Sequence, residues 1–162
     1  MDFYLKKLKL NPFPSSENFH CFSIYSSLED FRMAYSLNKT FKINLNRKKL
    51  DIHENHKNAY FSQYEFVDET NLLTWKLINN KTKADYQDES LSSSLFQDNY
   101  NMDVNVSLFE EIKDVDYILS IENILSKNFV TKVLNKLQEI EGLIMAQVST
   151  KILENKENLI FS

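Results

Sequence analysis

A chain of 162 residues with 43% hydrophobic and 26% charged side chains has the size and balance of one ordinary soluble domain spanning 1–162. A net charge of −4 and a pI near 5.4 argue against a dedicated nucleic-acid binder, and the single glycine, Gly142, excludes P-loops and GxGxxG dinucleotide sites. No run approaches the roughly 18 apolar residues needed to cross a bilayer, and the lone Cys21 rules out an internal disulfide and fits a reducing cytoplasm.

Taken in order, Met1–Leu10 lacks the apolar core and cleavage site of a signal peptide and alternates as a strand over 3–10. Both prolines, Pro12 and Pro14, fall in the connection that follows. Cys21–Tyr25 reads as a short strand. Ser27 and Asp30 stand at capping-box spacing before a helix whose buried stripe is Leu28, Phe31, Ala34 and Tyr35, with Asn38 as its stop. Phe41, Ile43 and Leu45 alternate with polar residues as a strand with one wet face, and residues 53–58 make a polar loop. Residues 59–67 and 72–79 form a hairpin closed by Asp68–Asn71, with Leu73, Trp75 and Leu77 on one side. From Asn80 to Met102 no period survives, and 80–105 is expected to be a flexible acidic loop.

The carboxylate-dense stretch Leu108–Glu122 organises the rest. Its second half alternates Val115, Tyr117, Leu119 and Ile121 against Asp116, Ser120 and Glu122, as a strand does. A helix with a wide apolar face (Leu125, Phe129, Val130, Val133, Leu134, Leu137, Ile140) follows over 123–141; Gly142 stands where a left-handed residue belongs, and Leu143–Val148 returns as a strand. The tail, ending in Leu159-Ile160-Phe161, is expected to pack back on the domain. Together these elements predict an α+β fold. Its sheet, antiparallel or mixed, carries two helices on one face, with a split-βαβ, ferredoxin- or ACT-like tendency and an inserted hairpin.

The segment Glu111-Ile112-Lys113-Asp114-Val115-Asp116-Tyr117 resembles the signature of the IPExxxVDY family, small proteins of Bacteroidetes. Glu111 and Val115-Asp116-Tyr117 match in type and spacing, while Phe109-Glu110 replaces the family's Ile-Pro. Ser27–Lys39 is similar to the family's helix, Leu73–Asn80 to its Trp strand, and Lys156–Phe161 to its close. The resemblance implies a family and no reaction, cofactor or catalytic residue.

Each candidate residue has a sharp and a plain reading. Glu111, Asp114 and Asp116 have the chemistry of a Mg²⁺ or acid–base site, yet carboxylates beside a strand's start more commonly bind loop backbone, and that reading is preferred. His53 and His56 lack the four-residue step of HExxH and read as surface loop. Cys21 is expected to point into the core. Glu29, Asp30 and Arg32 lie on the solvent side of the first helix, available to a partner but better suited to local ion pairs. Tyr60, Tyr64, Phe66 and Trp75 could stack bases, with Lys42, Lys48 and Lys49 as the nearby cations; core packing is the commoner use of such aromatics.

Charge is uneven. Residues 39–49 carry Lys39, Lys42, Arg47, Lys48 and Lys49 without an acid, whereas 85–116 carry nine acids against Lys113. Mutual neutralisation across the fold is the expected outcome. The sequence therefore points to a cytoplasmic, non-enzymatic module that binds a protein partner or itself. No cofactor, metal or membrane is expected, and Glu111, Val115, Asp116, Tyr117, Glu29, Asp30, Arg32 and Trp75 are its candidate contact residues. Two alternatives carry less support: an ACT-like small-molecule-binding regulatory domain, by analogy of fold, and an RNA-associated accessory protein, from the basic stretch.

Overall fold

Strand β1, Phe19–Ser26, turns Phe22 and Ile24 to one side and Phe19, Cys21 and Ser23 to the other, and all five are buried. A strand covered on both faces belongs inside a layered structure. The computed structural model describes residues 19–86, 102–124 and 126–149. The expected strand at 3–10, the proline connection and the 151–162 tail lie outside those residues.

In chain order the elements are β1, helix α1 (Asp30–Phe41), β2 (Asn46–Arg47), β3 (Ile52–Glu54), β4 (Ala59–Phe61), β5 (Gln63–Asp68), β6 (Leu73–Asn79), β7 (Lys81–Tyr86) and β8 (Met102–Ser107). A 3-10 turn (Glu110–Ile112), β9 (Tyr117–Glu122), α2 (Lys127–Gln138) and β10 (Leu143–Val148) complete them. Six strands form one antiparallel sheet in the order β10-β1-β9-β6-β5-β2. β9 and β10 flank β1 and both oppose it, so they run parallel to one another and α2 joins them: a βαβ unit split by an intervening strand. The expected α+β class, with a mainly antiparallel sheet and two helices, is the observed one.

Both helices cover one face. Met33, Ala34 and Leu37 of α1 and Val133 and Leu137 of α2 close over Phe22, Ile24, Leu73, Trp75, Leu77, Leu119 and Ile121. Each fully buried Leu or Ile in this layer contributes about 1.5–3 kcal/mol. The opposite face holds a second core: Phe19, Cys21, Ile78 and Ile118 pack beneath Ala59, Phe61, Ala84, Phe109 and Val115. Its cover comes from the two small hairpins β3–β4 and β7–β8 and the 3-10 turn.

Several sequence expectations need correction. Ser27 does not cap α1: Glu29 is the capping residue and makes no side-chain cap bond, while the Asp30 carboxylate accepts from Phe31 N at 2.8 Å. Residues 26–28 are held off the helix because the Ser26 hydroxyl accepts from Leu28 N and donates to Gly142 O, and Tyr117 Oη donates to Leu28 O. The buried stripe is Met33, Ala34 and Leu37, with Phe31 and Tyr35 exposed. Asn38 does not stop the helix, which runs to Phe41 and ends at Lys42 in the left-handed region (φ 54°). Asn38 instead binds both backbone groups of Leu45, accepting from its N at 2.7 Å and donating to its O at 3.2 Å. Those bonds take the place of a strand partner, so the expected strand over 41–45 does not form and only Asn46–Arg47 joins the sheet. The polar loop at 53–58 narrows to a turn at 55–58 between β3 and β4. Within the expected acidic loop, 81–86 and 102–107 pair as a hairpin; residues 87–101 lie outside the described residues.

The expected hairpin forms between 63–68 and 73–79, while 59–61 of its first arm pair with β3 instead; α2 is shorter than the expected 123–141, and β10 stands as expected. Gly142 has φ +88° in a turn closed by Leu143 N donating to Ile140 O, and a Cβ there would meet Leu28 Cδ2 at 2.8 Å. Glycine suits this position on both counts.

Candidate functional site

The signature-like stretch is built around a residue that sequence reasoning passed over. Asn80 follows β6 and is fully buried. Its Nδ2 donates to Ile112 O at 3.0 Å and Val115 O at 2.9 Å, while its Oδ1 accepts from Phe109 N at 3.0 Å. Its own backbone donates to Asp116 O and accepts from Leu108 N. One side chain thus fixes both ends of the 3-10 turn, and a buried amide with its partners all supplied is a strong specifier of local structure.

Asp116 does the same for the other side. Its Oδ2 accepts from Ser26 N at 2.9 Å and its Oδ1 from Lys81 Nζ at 2.9 Å, with Asp116 N donating to Ile24 O. Lys81 Nζ also reaches Asp114 O. Asp116 is therefore a clamp between β1, β7 and the start of β9, the backbone-binding use expected of such a carboxylate. Tyr117 lies on the helix-covered face, where burial, followed by the nearby Asp30 and Asp116 charges, pushes its phenol well above its ordinary value. Val115 turns to the opposite core, away from Tyr117, because the strand proper begins only at Tyr117. Glu110 pairs with Lys57 Nζ at 2.7 Å, and the same ammonium donates to Ser107 O.

The three carboxylates do not converge. Glu111 and Asp114 line a polar cavity of about 390 Å³ beside Tyr25 and Gln147, and Asp116 is not among its walls. Among the described residues no group of three His, Cys, Asp or Glu side chains could hold a metal ion. His53 stacks on Tyr60 with centroids 4.4 Å apart, and His56 N bonds Glu54.

On α1, Asp30 pairs with Arg47 at 3.5 Å, Glu29 is exposed, and Arg32 lies over the Phe31 ring at 5.9 Å. The ion pair expected of Arg32 is replaced by this cation–π contact. Trp75 is not a surface contact residue: it is buried, as is Tyr64, so these aromatics do not form an exposed stacking platform. The ion pairs seen among the described residues are local to each charged segment. Arg47 and Lys48 pair with Asp30, Asp51 and Glu65, whereas Glu110 and Asp116 take Lys57 and Lys81.

Trp75 does mark a place. At the end of the sheet where β6 begins, the C-terminus of α1 and the start of α2 stand apart over a cavity of about 440 Å³. Trp75 lines it with Phe41 (centroids 5.2 Å apart) and Phe129 (6.3 Å, edge-on).

Cys21 is inaccessible, and burial, with the Glu122 charge second, holds its thiol far above the ordinary range. A folded-state value raised above the unfolded one contributes stability that is complete below the unfolded value, about 8.5, and is lost as pH rises toward the folded one. Stability is thus expected to fall above about pH 8.5 by up to roughly 1.4 kcal/mol per pH unit from this group. Urea midpoints measured from pH 7 to 10 should show that onset, and Cys21→Ala should move it upward toward the phenol range, where Tyr117 and Tyr64 act in the same sense. An unchanged onset in Cys21→Ala would refute the assignment.

No helix among the described residues is long and apolar enough to cross a membrane. No protein-family model, curated protein or solved structure matches this chain.

Proposed function

We propose that this protein is a non-enzymatic interaction module that pairs with a second copy of itself through the open edge of its sheet. The observation that carries the reading is β10. Among the described residues it is an edge strand, Leu143-Ile144-Met145-Ala146-Gln147-Val148, with no charge and no proline, and it exposes Ile144 (74%), Met145 (44%) and Val148 (41%). Unpaired strand edges are ordinarily guarded by shortness, charge or proline. The opposite edge is: β2 has two residues, one of them Arg47. An uncharged strand can meet its own copy antiparallel without like charges falling opposite each other, which suits a twofold contact.

On this reading the resemblance to the IPExxxVDY family is proposed as kinship, and Asp116 and Tyr117 serve the scaffold. The buried thiol Cys21 suits a reducing, cytoplasmic setting for such a module. Sedimentation analysis is expected to show a dimer, with Met145→Lys and Ile144→Lys giving monomers of unchanged far-UV circular dichroism. A wild-type chain that stays monomeric at about 100 µM would overturn the reading.

A further inference from the structure

We propose that the cavity at the Trp75 end of the sheet is a binding site for a small organic anion with a flat apolar body and a carboxylate or phosphate head. Three independent features converge there. The first is the Trp75 ring, which lines the cavity; the residue is 3% exposed, and its indole N–H has no hydrogen-bond partner among the described residues. A buried N–H without an acceptor is costly. The second is the wall, where Phe41, Phe129, Leu73 and Ile124 offer the rings and aliphatic surface that flank a planar ligand.

The third is charge. Lys42 and Lys136 line the cavity from α1 and α2, and Lys136 Nζ stands 5.8 Å above the Phe41 ring. Lys42 makes no ion pair among the described residues. Asp68, the one acid among the described residues of the wall, is already engaged: it accepts from Thr70 N, Asn71 N and Asn71 Nδ2, and these bonds, the side-chain one foremost, hold its carboxyl below the ordinary value. The start of α2 faces the same space. Its capping residue, Ser126, makes no side-chain bond to the helix, so the first-turn amides keep their positive end. Two ammonium groups and a helix start set the head group's sign. A volume of about 440 Å³ fits one ring and a short acidic arm.

Trp75 is the only tryptophan in the chain, so its emission, excited selectively over tyrosine, reports on this cavity alone. Phenylacetate and phenyl phosphate are the probes, with inorganic phosphate and benzyl alcohol as comparators, titrated by fluorescence and calorimetry against the full-length protein. The expected result is saturable binding of one or both aromatic anions, weakened about tenfold by each of Lys42→Glu and Lys136→Glu and unchanged by Lys132→Glu, which lies outside the cavity wall. Carboxylate and phosphate heads are distinguished by which aromatic probe binds tighter. In Trp75→Ala, followed by calorimetry, affinity should fall severalfold as the wall loses its ring, with far-UV circular dichroism confirming the fold. No saturation by either aromatic anion up to about 10 mM would overturn the proposal. So would benzyl alcohol or inorganic phosphate binding as tightly as the aromatic anions, or charge reversal at both lysines leaving affinity intact.

Discussion

Asn80→Ala is expected to lose about 4 kcal/mol of unfolding free energy, the largest cost of any single polar substitution in the described residues. Truncation strands Phe109 N and Val115 O together, while Ile112 O loses one of two donors and keeps the bond from Val115 N. Each buried group left without a partner costs roughly 1–3 kcal/mol, reduced where water can reach, as it can near the half-buried Ile112. For a chain of this length the loss corresponds to a fall in Tm on the order of 10 °C. Asn80→Asp should be no better, since it keeps the acceptor for Phe109 N but sets a carboxylate against two carbonyl oxygens. Urea denaturation gives the energy, and hydrogen exchange should locate it, with amides of 107–115 opening ahead of β1 and β9. A cost under about 1 kcal/mol would mean the turn holds itself together without Asn80.

Lys76→Leu is expected to cost about 3 kcal/mol, for a different reason. Lys76 is nearly buried on the hairpin-covered face, with its ammonium 3.4 Å from Glu122 and 3.9 Å from Glu65. Removing it leaves Glu122 facing an apolar side chain and Glu65 with Lys48 as its remaining cation. The value is set toward the low end for a broken buried pair because those carboxylates are 30% and 18% exposed and partly screened. Neutralising both acids in the same protein, with Glu65→Gln and Glu122→Gln, should recover most of the loss. If the triple variant is as unstable as the single one, the cost lies in packing and the charge account fails.

Those two residues also show where reading the sequence stopped. The β5–β6 hairpin was legible because Leu73, Trp75 and Leu77 alternate under a helical layer that tolerates nothing polar. The same strand's other face carries Lys76, and β9 presents Ser120 there, both buried, so half of each strand looks wet when it is not. In α1 two apolar stripes compete. Leu28, Phe31 and Tyr35 form one and Met33, Leu37 and Phe41 the other, and hydrophobicity cannot choose between them; the fixing of 26–28 by Ser26 and Tyr117 sets the phase. Strand β7 has Ala84 as its only buried apolar side chain among those described, and its partner begins beyond residue 101, which left no local period to detect. Asn80 sits in an asparagine-rich chain and gains its meaning only from partners at 109–115. Trp75 was legible as a residue to watch, but its cavity needs 41–43, 71–75 and 123–129 brought to one point, which no spacing rule encodes.

The position of β1 between β9 and β10 has a consequence for how this protein is made. Both of its neighbours are encoded about 100 residues downstream, so a growing chain on the ribosome holds Phe19, Phe22 and Ile24 with no sheet to join for on the order of 5–20 s. The β5–β6 hairpin can form at once and α1 can fluctuate into shape, but neither core closes until the last third of the described chain has emerged. The protein's yield on overexpression is therefore expected to depend more on that interval than on the stability of the finished fold.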